Sequence, residues 1–145
     1  MYQDRDVSEL VGKRLVKIVQ VFDDELEFYT DNGEKYVMFH RQDCCENVTI
    51  DDIIGDLNDL VGVPILRAEK VSNYEPTSEE DKSKEADALK WGTCEWTFYK
   101  FATIKGYVDI RWFGESNGFY STAVDFALIG DRRKTHNEGL KIFEG

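Results

Sequence analysis

The sequence predicts an α+β fold dominated by antiparallel sheet, a single domain over 1–145, with short helices, and three features point to it. Short runs rich in β-branched and aromatic residues recur along the chain. Turn signals of the Asn-Gly and Lys-Gly type separate them. The last third reads as three consecutive strands joined by tight turns, an antiparallel meander. At 145 residues the chain is sized for one domain, and aromatics at 13% supply side chains to fill its core.

Residues 7–12 read as a short helix or turn with Ser8 as a cap. Leu15, Val16, Ile18, Val19 and Val21 form a strand, which Asp23-Asp24 breaks. Leu26-Glu27-Phe28-Tyr29 and Tyr36-Val37-Met38-Phe39 form a hairpin around Asp31-Asn32-Gly33-Glu34, since Asn-Gly accepts the positive φ of a tight turn. Residues 48–54 read as strand or as the start of a helix, and 55–60 as a short helix ended by Gly62 and Pro64. A strand is expected over 64–71. Residues 72–90, rich in Glu, Asp, Ser and Lys with little to bury, predict a flexible acidic loop. The meander follows at 96–104, 107–113 and 119–126, and its aromatic set (Trp96, Tyr99, Trp112, Phe113 and Tyr120) is read as core. After Ile129 the chain turns polar.

Charge narrows the partners. A net charge of −11 makes free nucleic acid a poor one, because phosphate binding rests on clustered Lys and Arg. A basic protein surface is the better match. There is no apolar run long enough to span a membrane and no signal-peptide core at the N-terminus, so a cytosolic protein is expected. Three cysteines do not make a disulfide framework, and the adjacent pair Cys44-Cys45 is expected to bind metal or be buried rather than to close on itself.

The densest chemistry lies in His40-Arg41-Gln42-Asp43-Cys44-Cys45-Glu46, where the hairpin strand ends. Imidazole and thiolate select Zn²⁺ over Mg²⁺ or Ca²⁺. The spacing is neither C-x₂-C nor H-x₃₋₅-H, so the competing reading is two buried cysteines beside a core histidine. The metal reading nominates His40, Cys44 and Cys45 for one structural Zn²⁺, with Asp43 to complete the set and Cys94, His136 and Asp56 as outside candidates for a fourth ligand. A Cys/His nucleophile pair is the enzymatic alternative, but no deaminase signature, phosphate loop or nucleophile elbow accompanies it. Between Gln42 and Leu66 there are acids and no Lys or Arg, and Asp51, Asp52, Asp56 and Asp59 are the nominated partner-binding acids.

The pattern His40-x-x-Asp43-Cys44-Cys45-Glu46, Gly55-Asp56-Leu57, Asp59-Leu60 and Pro64-Ile65 resembles a family of small phage-encoded proteins. So do the run Trp96-Thr97-Phe98-Tyr99-Lys100-Phe101, the pair Arg111-Trp112 and the block Gly114-Glu115-Ser116-Asn117-Gly118. The resemblance spans about 36–126, and Cys94 departs from its pattern. At least one similar member is a zinc-containing anti-CRISPR protein of type II-A systems. The resemblance therefore implies a protein of host-defence evasion in the cytoplasm of an infected or lysogenic bacterium. Such a protein binds the RNA-guided DNA nuclease directly and blocks target DNA loading, touching neither nucleic acid nor membrane. A phage metal-dependent or thiol enzyme is the alternative.

Overall fold

The computed structural model describes residues 2–72, 75–129 and 140–144. Ten strands, one α-helix and two 3₁₀ turns make up these residues. β1 (Tyr2–Asp4), β2 (Leu15–Val21), β3 (Glu25–Thr30), β4 (Lys35–Phe39), β9 (Asp125–Ile129) and β10 (Leu140–Glu144) form one sheet in the order β1-β9-β4-β3-β2-β10. β5 (Asn47–Ile54), β6 (Arg67–Val71), β7 (Thr93–Thr103) and β8 (Gly106–Ser116) form the second, ordered β5-β8-β7-β6. All the strand pairings between these elements are antiparallel. The helix, α1 (Glu79–Trp91), lies against the smaller sheet. No helix among the described residues is long and apolar enough to cross a membrane.

The two sheets share one core. Ile18, Leu26, Phe28, Tyr36 and Met38 of the first meet Tyr99, Phe101, Val108, Ile110 and Trp112 of the second. Phe28 stacks on Phe101 at 5.9 Å, and the Trp112 indole N–H donates to Met38 Sδ at 3.2 Å. Burying each such side chain contributes about 2–3 kcal/mol, so the sandwich interior carries most of the stability. Four of the five aromatics read as core are buried; Tyr120 is half-buried.

The hairpin at 25–39 forms as expected, with Gly33 at φ +86° in its turn. Residues 47–54 are strand. The 7–12 segment is a 3₁₀ turn over Val7–Leu10 whose cap is Asp6 rather than Ser8, since Asp6 accepts from the Ser8 N–H. A second 3₁₀ turn, Leu57–Leu60, is capped by Asp56. The strand expected from Pro64 starts at Arg67, and Pro64 makes only an isolated bridge to Arg14.

Two expectations are corrected. The acidic loop expected over 72–90 contains α1: Ser78 caps it by accepting from the Asp81 N–H, and Glu79, Glu80 and Asp81 occupy its first turn, where acids favour the helix dipole. It escaped notice because it carries almost no apolar stripe. Only Ala88 joins the apolar cluster of Trp96 and Phe113; ion pairs to Asp51 and Arg111, a hydrogen bond from the Trp96 indole N–H to Glu85, and Lys84 over the Phe113 ring add polar docking. The third meander strand is also displaced. Residues 119–124 lie outside any strand, and β9 pairs with β4 and β1 in the other sheet, while β8 takes β5 as its second neighbour. Val124 and Phe126 are buried in the shared core, which draws the chain across to the larger sheet.

Candidate functional site

Residues 40–46 carry the chain from β4 to β5, and the carboxylate of Glu46 organises them. Its Oε1 accepts from the Asp43 N–H at 2.6 Å and from His40 Nε2 at 3.0 Å, and its Oε2 accepts from the Cys44 N–H at 3.2 Å. The side chain is fully covered. The Asp43 N–H holds the carboxyl down to about 2 against the cost of burial, with further help from His40 and the Cys44 N–H. On its other side the His40 ring donates from Nδ1 to the Ala123 carbonyl at 2.7 Å, tying this turn to the approach of β9. Arg41 reinforces the link through Asp125 and Asp4.

Among the nominated ligands the structure brings Cys44 together with Cys45, and His40 together with Glu46. Contrary to expectation the two cysteines close on each other as a disulfide between adjacent residues. The Glu46-centred turn places their side chains on one side. Both His40 ring nitrogens are engaged, Nδ1 with the Ala123 carbonyl and Nε2 with Glu46, so neither is turned towards the cysteines. Asp43 is exposed and contributes its backbone N–H to the turn. No group of three or more His, Cys, Asp or Glu side chains converges as a metal site among the described residues. The donor types suit zinc, but as arranged they do not present a zinc site; the disulfide would have to be reduced and His40 freed from Glu46. Cys94 lies apart under α1 beside Trp96 and Phe113, where burial pushes its thiol up, away from a metal thiolate. His136 falls outside the described residues.

The nominated acids have unequal fates. Asp51 is consumed internally: Arg111 and Lys84 both bind it, and Arg111 also reaches Asp81 of α1 at 3.0 Å. The Arg111 guanidinium lies 5.2 Å from the Trp96 ring centre, so this network fastens α1 to the sheet. Asp59 packs against Gly106, and its carbonyl accepts from the Thr103 hydroxyl. Asp56 is exposed while capping its 3₁₀ turn, and Asp52 is exposed on β5.

Asp52 and Asp56 flank a groove of about 570 Å³ between β5 and β10, with Ile50, Ile53, Leu57 and Phe143 among its apolar lining and Lys141 as its cation. β5 is an end strand of its sheet and carries a bulge between Ile50 and Asp52. Gly55 ends it at φ +107°, where a Cβ would sit 2.5 Å from the Tyr107 carbonyl oxygen. Beside the start of β5 a smaller cleft collects Asp24, Glu25 and His40. Burial, then the neighbouring Glu27 carboxylate, push the Glu25 carboxyl up to about 7.

Glu46, Glu25 and Arg111 organise the local charge, and their residue types alone assigned none of them that part. Glu46 was visible inside the cysteine cluster, but a glutamate in a polar turn reads as solvated charge. Arg111 offered one signal, a cation in the middle of an apolar strand.

Neither the curated proteins nor the solved structures include a match to this chain. Residues 8–126, most of its length, match the model described as Domain of unknown function (DUF7448), and the chain belongs to that family.

Proposed function

We propose that the protein is a stoichiometric inhibitor of a type II RNA-guided DNA nuclease in the cytoplasm of its bacterial host, binding a basic face of the nuclease and keeping target DNA from loading. The observation that carries this reading is how the charge is spent. Many of the cations are committed to internal pairs: Arg5 to Glu9, Lys13 to Glu34, Lys35 to Glu27, Arg41 to Asp125, and Arg111 and Lys84 to Asp51. The net −11 is thus left to outward carboxylates, among them Asp52 and Asp56 near the β5 edge. An effector nuclease holds its heteroduplex in a positively charged channel, the kind of surface such a patch complements. The sequence resemblance supplies the nuclease as the partner.

Titration of a nuclease–guide complex tests the reading. Target DNA binding in a gel shift should disappear at about one inhibitor per nuclease. A complex that still binds DNA but leaves it uncut refutes the loading block, and turnover at substoichiometric amounts replaces the inhibitor with an enzyme.

A further inference from the structure

The groove between β5 and β10 has three properties that together describe an occupant. It lies along β5, an end strand that pairs with β8 alone among the described residues, so an extended segment can run beside it. Its apolar lining comes from Ile50, Ile53, Leu57 and Phe143. Among the described residues its charged lining is Asp51, Asp52 and Asp56 against the cation Lys141, and Asp51 is already bound by Arg111 and Lys84. At about 570 Å³ it falls within the size of sites that hold a few side chains.

We infer that this groove seats an extended basic segment of a protein partner, its Lys or Arg side chains over Asp52 and Asp56 and its apolar side chains on the hydrophobic lining. Nucleic acid is the wrong occupant, because the Asp52 and Asp56 carboxylates would repel phosphate. The segment docks through side chains more than through a continuous backbone ladder. The Ile50 N–H already donates to the Asp23 carbonyl at 2.6 Å, and the bulge after Ile50 bends the strand. The inference deepens the inhibitor reading by naming which feature of the partner is recognised. The competing account makes the bulge and its carboxylates guards against edge-to-edge pairing, and it expects no ligand at all.

The test uses the full chain and two short synthetic peptides, one alternating Lys with Val and one alternating Glu with Val. Amide NMR shifts with the Lys peptide should concentrate at residues 50–57 and 141–143, and the Glu peptide should leave them unmoved. Asp52→Lys should weaken the Lys peptide roughly five- to tenfold, whereas Glu69→Lys, the same charge change on the opposite edge strand β6, should stay within about twofold. Scattered shifts, or equal weakening by both variants, would overturn the groove. If the Lys peptide binds as described but the wild-type protein leaves the nuclease active, the groove stands and the inhibitor reading falls. If wild type inhibits the nuclease but the peptide finds no site, the inference fails alone.

Discussion

Glu46 shows how a single carboxylate can set a local structure that residue types alone misdescribe. Its folded carboxyl sits at about 2, below the ordinary 4.5. The resulting stabilisation is complete above about pH 4.5 and drains as pH falls towards 2. Glu46→Gln should therefore lower the melting temperature at neutral pH and flatten its acid limb between those values. Parallel acid limbs for variant and wild type would contradict the role. Glu25 runs the other way. Its carboxyl is raised from 4.5 to about 7, so the folded state favours the neutral form and loses stability as pH rises through that interval. Glu25→Gln should stabilise the protein by about 1 kcal/mol near pH 8, a figure kept small because the carboxyl is partly open to water, and the gain should vanish below about pH 4.5. Chemical denaturation at the two pH values reads both effects. Neither shift could be read in advance, since Glu27 and Asp24 flank Glu25 in sequence but its burial depends on the sheet.

Local signals carried the elements that rest on local chemistry. The 25–39 hairpin was legible because Asn32-Gly33 specifies its turn. The β7–β8 hairpin was legible from its two strands and the Lys-Gly signal between them, although Ile104 and Lys105 make the turn and Gly106 opens β8. What local chemistry cannot encode is which strand a distant strand will join, and β5 and β9 were placed by the core rather than by their neighbours in sequence. The helix was hidden for a different reason: its docking is ionic. Arg111→Met should make that visible. It leaves Asp51 and Asp81 largely covered without their shared cation, at a cost of about 3 kcal/mol, and amide exchange should quicken across Glu79–Trp91 before it quickens in the sheets. Uniform exchange across the chain would mean that α1 is held by something else. The turn at 40–46 was legible in its composition and not in its arrangement. Zinc, if it enters there, should depend on thiol state: protein prepared in a dithiol reductant should carry about one zinc per chain by elemental analysis, and oxidised protein none. Zinc-free reduced protein, with Cys44→Ser and Cys45→Ser leaving the melting temperature unmoved, would remove the metal from this family member.

At the scale of the whole molecule the sandwich is a rigid frame and the charge is its outward chemistry. An acidic protein meeting a basic channel gains speed of encounter before it gains strength, because steering acts at a distance that salt screens beyond roughly 8 Å at physiological ionic strength. The proposed inhibition should therefore show its salt dependence chiefly in the association rate. Raising salt from about 0.05 to about 0.3 M should slow association with the nuclease by an order of magnitude, while dissociation changes by less than about threefold. Surface-immobilised nuclease with the full chain in solution separates the two rates directly. An association rate indifferent to salt would leave the −11 charge as a solubility property, and would move the contact to the exposed apolar residues at the other end of the smaller sheet, where Leu66, Ile104 and Tyr107 face solvent.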